Sequence, residues 1–258
     1  MEKKRTSTNT FYAYADAAGT DVIQGDKLAD TPGYSDLLEG FINIRSITTS
    51  LLYQPLDNSF NRIIKRGFDI VFSIIMIVTV LSWLMPIIAF LIWLDSKGPI
   101  FFFQKRNKRN SELFTCIKFR SMIVNADADT LPARRNDNRI TSLGRFLRDH
   151  YIDELPQFFN VLMGDMSIIG PRPHMVNDNL KYRKQIDYYE RRHKGKPGIT
   201  GLAQVLGYVG ATENIQEIQD RIGLDIFYLR HWSFKLDMKI IWRTILKPFR
   251  LSLNTKEV

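Results

Sequence analysis

Asp153 and Glu154 stand side by side, with Arg148 five residues ahead of the pair and Gly170-Pro171-Arg172-Pro173 following it. A carboxylate attacks phosphorus only where cations neutralise the charge on both partners, so acids bracketed by arginines suit transfer of a phosphorylated group. The pair means little alone, because Asp is a favoured helix N-cap and Glu is welcome in a first helical turn. Three features favour chemistry: Arg148 itself, Pro156, which stiffens the first turn, and the affinity of a helix N-terminus for anions. Prolines on both sides hold Arg172 in a fixed pose, from which a guanidinium grips two phosphate oxygens at once. Lys118 and Arg120 alternate along Lys118-Phe119-Arg120-Ser121-Met122 and place two more cations on one face of a strand. Gly198 and Gly201, within Lys196 to Gln204, mark a tight backbone path that admits a ligand or another chain segment.

The elements that must carry these residues are mixed. Pro99 to Gln104 and Leu113 to Phe119 read as two strands joined by a polar turn, a β-hairpin. From Thr141 onward the periodicity is helical: Ser142 to Arg148, Asp153 to Leu162 stopped by Gly164, Met175 to Arg192, Asn214 to Arg230 and Phe234 to Leu246. Met166 to Ile169 is a short strand-like run. The last helix mixes Trp232, Leu236 and Ile240 with Lys235, Lys239 and Arg243, a pattern that fits a surface helix packed on the core and also a membrane interface.

Ile70 through Leu94 is a run of 25 residues without a charge. As one helix it is about 37 Å long, more than the roughly 30 Å of a hydrocarbon core, so a membrane segment is expected. Pro86 lies inside the run with Ser82 one turn earlier, which predicts a bend. Arg62, Lys65 and Arg66 flank one end and Lys97, Lys105, Arg106, Lys108 and Arg109 the other, so the charges favour neither orientation. A re-entrant helix, bent at Pro86 and returning to the face it left, satisfies both flanks; an ordinary spanning helix with a tolerated proline is the competitor.

The 258 residues suit one domain with an appendage. The first 60 hold five Lys/Arg against eight Asp/Glu, whereas the rest hold 31 against 19. A basic body implies an anionic partner, and no nucleic-acid motif accompanies the charge. A lone cysteine, Cys116, rules out an intrachain disulfide and a Cys-rich metal site, and His150, His174, His193 and His231 show no metal-ligand spacing. The expected organisation is a mobile acidic tail over 1–60 with one short helix near Tyr34 to Ile44, a membrane-embedded helix over 61–98, a catalytic domain over 99–250 and a tail over 251–258. The fold class is α+β, mostly helical, with the small β-hairpin in the catalytic part.

The ordered motifs resemble those of the bacterial sugar transferases, the monotopic polyprenyl-phosphate phosphoglycosyl transferases. They comprise Lys65-Arg66 with Asp69, Gly98-Pro99, Gln104 with Arg106, Lys118 to Met122, Arg139-Ile140-Thr141, Asp153 to Gln157 with Asn160, Gly164 to Ser167, Gly170 to Pro173, Pro197 to Gly201 and Asp225 with Tyr228. The likeness covers about residues 62 to 250. It implies transfer of a sugar-1-phosphate from a UDP-sugar to undecaprenyl phosphate with release of UMP, at the cytoplasmic face of the bacterial inner membrane, at the start of a surface polysaccharide or glycoconjugate. It further implies a phosphosugar carried on Asp153, with Mg²⁺ on the donor diphosphate and Glu154 as its partner. Lys118, Arg148 and Arg172 fall where the family places cations that contact phosphate or uridine. A catalytically inactive scaffold that docks on membrane lipid and binds polyprenyl phosphate is the rival expectation, and self-association is compatible with either. Three positions depart from the family pattern. Met85 rather than Ser precedes Pro86, Tyr208 stands where many members have Arg, and Leu202 replaces a common Trp.

Overall fold

A computed structural model describes residues 12–15, 21–24, 54–128, 130–133, 137–212 and 214–254. The expected helix at Tyr34 to Ile44 lies outside the described residues. Strands β1 (Tyr12–Ala15) and β2 (Asp21–Gln24) pair antiparallel, so part of the stretch expected to be a tail has regular structure.

From Ser59 to Asp95 the chain is helical throughout, and it is long and apolar enough to cross a membrane. It comprises α1 (Ser59–Met76), a π-helical turn at Ile77–Leu81 and α2 (Ser82–Asp95). Asn58 caps α1, its side chain accepting from the amide of Phe60 at 2.8 Å. The helical path continues through Pro86, and the departure from α geometry lies just ahead of it, in the π turn. Thr79 and Ser82 hydroxyls donate to the carbonyls of Ile75 and Val78 at 2.7 and 2.6 Å, leaving no polar group of theirs to face hydrocarbon.

One stripe of this helix is buried along its length, through Lys65, Asp69, Ser73, Leu81, Ile88 and Ile92. The other faces present Val71, Ile75, Val78, Trp83, Phe90 and Trp93 to the exterior. Charged residues near the start of the stripe fix it to the body. Lys65 pairs with the fully buried Asp237 at 2.8 Å, and that carboxylate also accepts from Trp232 Nε1 at 3.0 Å and Tyr228 OH at 2.8 Å. Asp69 accepts from Ser167 Oγ and the amide of Ile168, both at 3.0 Å. Such charges are tolerated in an interior because each carboxylate is met by two or more donors.

The hairpin forms as expected, β3 (Phe101–Asn107) against β4 (Leu113–Phe119), with Phe101 opposite Phe119 and Asn107 opposite Leu113. Helix α3 (Ser142–Asp149) is capped by Thr141 and carries Gly144, where a Cβ would stand 2.0 Å from the carbonyl of Ser121. A 3-10 turn, Ile152–Glu154, leads to α4 (Gln157–Met163), closed by Gly164 at φ 94°. Asp153 and Glu154 thus precede the helix expected to begin at Asp153. Tyr151, at φ 57°, turns the chain there, and no side chain caps α4.

Strand β5 (Ser167–Ile169) pairs parallel with β6 (Gly198–Thr200), resolving the glycine-rich path as a site of close chain approach. A Cβ on Gly198 would lie 2.1 Å from the amide nitrogen of Gly170. The single helix expected from Met175 to Arg192 is two pieces, α5 (Val176–Arg183) and a 3-10 stretch, Tyr189–Lys194. The period of three turns both Tyr189 and Arg192 inward. Short α6 (Leu202–Val205), α7 (Ile215–Arg230) and α8 (Phe234–Asn254) follow. Phe114, Val161, Met166, Ile169, Leu202, Tyr228, Leu236 and Ile240 share the main core, which backs onto Leu81 of the apolar helix. Leu202 is a core residue and Cys116 is buried beside it.

Candidate active site

The turn Ile152–Glu154 sits at the end of β4 and against α3, and both carboxylates are 6% exposed. Lys118, on β4, places Nζ 2.7 Å from Glu154 Oε1. Arg172 reaches the same carboxylate as a fork, Nη2 at 2.6 Å from Oε1 and Nη1 at 3.2 Å from Oε2. Arg148 donates to Ser121 Oγ at 3.1 Å and lines, with Lys118, Arg106 and Arg120, the cavity that holds Asp153. All five residues singled out for chemistry therefore converge. Pro86 is a feature of the apolar helix and lines neither this cavity nor the one on the far side of Glu154.

The two acids are in opposite electrostatic states. Burial pushes Asp153 up to about 6, Lys118 and Arg148 acting against the rise and ionised Glu154 adding to it. Burial also works to raise Glu154, but Arg172 and Lys118 outweigh it and hold that carboxyl well below its usual range. Glu154 is thus the permanently ionised member, and its charge is matched by two cations. Asp153 is the acid with fewer direct partners, facing the open side, and its ionised form gains most from a further cation.

The Arg172 pose depends on residues that sequence reading missed. Arg192, only 1% exposed, donates from Nη2 to the carbonyl of Arg172 at 2.6 Å and binds Asp225 through Nε and Nη2 at 3.0 and 2.8 Å. In the sequence Arg192 is expected only as the last residue of a helix from Met175, and Asp225 only as part of a motif with Tyr228. Arg120 was equally easy to underrate. Its Nη2 donates to the carbonyls of Ile92 and Ser96 at 3.3 and 2.6 Å, closing the end of the apolar helix, while Nε and Nη1 have no hydrogen-bond partner among the described residues. Tyr208 does not line the cavity of Asp153; its hydroxyl points to Asp220 at 3.4 Å.

His174, two residues after Arg172, is half-buried with Nδ1 2.8 Å from Tyr189 OH. Burial pushes its pKa well below 6.5, and the facing Arg192, Arg106, Arg221 and His193 push the same way. The unfolded chain takes up a proton there that the folded chain refuses, so stability falls as pH drops below histidine's ordinary range. The loss approaches about 1.4 kcal/mol per pH unit. Thermal midpoints measured between pH 7 and 5 should fall less for His174→Gln than for the unaltered protein; equal slopes would remove His174 as the cause.

Among the described residues no group of three or more His, Cys, Asp or Glu side chains is placed to hold a metal. Glu154 Oε2 has the longer Arg172 contact and retains lone-pair capacity. These residues fit a magnesium ion held mostly by a bound diphosphate with one protein carboxylate, the common arrangement beside nucleotides, and do not fit a preformed cage.

The buried acid pair with its fork of cations lies in the same body as an apolar helix long enough to cross a membrane. The chain belongs to the bacterial sugar transferase family, which it matches over residues 60–250. It is 45% identical over 200 residues to the UDP-glucose:undecaprenyl-phosphate glucose-1-phosphate transferase of Klebsiella pneumoniae, covering 77% of this chain and 43% of that protein. Identity to the protein of the same name from Caulobacter vibrioides is 41% over 182 residues, 70% of this chain and 68% of the relative. It is 39% over 220 residues to the undecaprenyl-phosphate galactose phosphotransferase of Salmonella typhimurium, 79% and 44% of the two chains. The chain thus spans less than half the length of several curated relatives that it matches.

Proposed function

We propose that the protein transfers a sugar-1-phosphate from a UDP-sugar to undecaprenyl phosphate, the first step in building a surface polysaccharide or glycoconjugate. The observation that carries this reading is the pairing of a cation-clamped Glu154 with a neighbouring Asp153 that faces a cavity lined by Lys118, Arg106, Arg120 and Arg148. In the first step a carboxylate oxygen of Asp153 attacks the phosphorus that bears the sugar, and the bond to the bridging oxygen breaks so that UMP leaves with the electron pair. In the second, a phosphate oxygen of undecaprenyl phosphate attacks the same phosphorus and Asp153 departs as a carboxylate. Lys118, Arg148 and Arg172 neutralise the oxygens on which charge accumulates, where a water-poor setting makes each cation count for more than in bulk solvent. Magnesium, bound to the donor diphosphate with Glu154 as its protein partner, would supply further charge neutralisation.

The named activities of the relatives support the donor and acceptor classes. Glucose, galactose and N-acetylgalactosamine all occur among those names, so the sugar is the open variable. The stripe of contacts that keeps the apolar helix against the body from Lys65 to Ile92 supports a re-entrant placement at the cytoplasmic face of the inner membrane. A spanning helix on this body would draw the polar catalytic residues toward the bilayer centre, at high cost. Purified protein in bilayer discs, offered a panel of UDP-sugars with undecaprenyl phosphate, should release UMP with one or a few of them. Absence of UMP release with every donor would overturn the reading and favour a non-catalytic scaffold.

A further inference from the structure

Consecutive residues of the catalytic turn face two different cavities. Asp153 lines the cation-rich one described above, whereas Glu154 and Tyr151 line a second, larger cavity of about 370 Å³ on the other side. Its walls include Phe72 and Met76 of α1, Leu155 beside the turn, Val205 of α6, and Ile241 with Ile245 of α8. Its few polar wall atoms include hydroxyls already satisfied. Thr200 and Thr244 hydrogen-bond each other at 2.8 Å, and Thr244 also donates to the carbonyl of Ile240 at 2.9 Å. Glu154, His150, Tyr151 and Gln204 also line it, and the remaining wall is apolar and favours hydrocarbon over water.

Two features identify the occupant. Neither Lys nor Arg lines this cavity among the described residues, so a phosphate has no counter-charge within it; the cations lie past Glu154, where Lys118 and Arg172 meet. The other end opens to an apolar exterior: Ile245, in the cavity wall, is 53% exposed and Trp242, on the same helix, 64%. A molecule that fits both ends has a long hydrocarbon tail and an anionic head. A UDP-sugar, polar along its whole length, does not.

We infer that this cavity receives the first isoprene units of the polyprenyl-phosphate acceptor, guiding its phosphate past Glu154 toward Asp153. The inference rests on the transferase reading above and assigns the lipid half of that reaction to a defined place. Donor and acceptor then occupy separate compartments that meet at the turn, and the first half-reaction needs only the polar one.

The test uses the full chain in bilayer discs and separates the two halves. Val205→Trp and Ile241→Trp fill the cavity from two different helices and leave Lys118, Asp153 and Arg172 unaltered. With UDP-sugar alone, both variants should give the same stoichiometric burst of UMP as the unaltered protein. With undecaprenyl phosphate added, turnover should fall at least tenfold, mainly through a raised KM for the lipid. Unchanged turnover in variants that retain the burst overturns the inference, as does loss of the burst in both, which would assign the cavity to the donor. A second measurement needs no variant. Undecaprenyl phosphate bearing a diazirine in its first isoprene units should label Met76, Val205 or Ile241, and unlabelled undecaprenyl phosphate should compete. Labelling confined to other surfaces, or equal labelling by a diazirine phospholipid that undecaprenyl phosphate fails to displace, overturns it. Absence of any burst from the unaltered protein speaks against the transferase reading itself, and the labelling still decides the cavity.

Discussion

Asp153→Asn is expected to lower UMP release by at least about a thousandfold and to abolish any phosphosugar adduct on the protein. Asn matches Asp in size and shape, so the turn Ile152–Glu154 and its packing should survive. What disappears is the charge and the nucleophilic oxygen. Glu154 does not substitute for it, because Lys118 and both arms of Arg172 already engage that carboxylate, and an acid held ionised by such partners is a poor nucleophile. The informative measurement is intact-protein mass spectrometry after mixing with donor alone. The unaltered chain should gain the mass of a sugar phosphate, localised to the peptide containing Asp153, and the variant should gain nothing. Full UMP release by Asp153→Asn would remove the covalent step.

Arg172→Ala is expected to slow the donor half-reaction about a hundred- to a thousandfold, the usual cost of losing one preorganised charge-stabilising group. Its side chain is 41% exposed, so truncation leaves little void, but buried Glu154 loses one of its two cations and the thermal midpoint should fall. The damage is electrostatic: Glu154 keeps only Lys118, and the fork that organises the acid is gone. Arg172→Lys restores the charge but not the two parallel hydrogen bonds and should recover only part of the rate. Retention of rate within threefold by the Ala variant would mean that Arg172 merely closes a surface turn.

The site was largely legible because its members sit in short, stiff, chemically distinctive words. Asp153-Glu154 beside Pro156, Arg172 between two prolines and Lys118 at the end of an aromatic strand all converge as their types suggested. The hairpin and the helices α3, α7 and α8 were likewise legible from period and caps; Asn214, for example, accepts from the amide of Gln216 at 3.0 Å. What escaped were features set by distant partners. Arg192 turns inward only because Asp225, 33 residues on, waits for it. Gly198 joins a parallel pair only because Gly170 lacks a side chain to obstruct it. The break before α4 reflects the left-handed Tyr151, a conformation that a tyrosine side chain does not announce.

Two arginines close on the apolar helix and its neighbours. Arg66, from α1, donates to the carbonyls of Val161 and Leu162 at 2.6 and 2.8 Å, holding the end of the helix that follows the catalytic turn. Arg120, just past the strand that carries Lys118, holds the other end of the apolar helix through Ile92 and Ser96. The apolar helix and the Asp153–Glu154 turn are therefore tied into one body, and on the proposed docking the height of Asp153 above the hydrocarbon is fixed by the protein. A lipid phosphate is confined to nearly the same height, so the encounter becomes a search in a plane: lateral diffusion sets its rate, and bilayer thickness and headgroup packing become determinants of turnover.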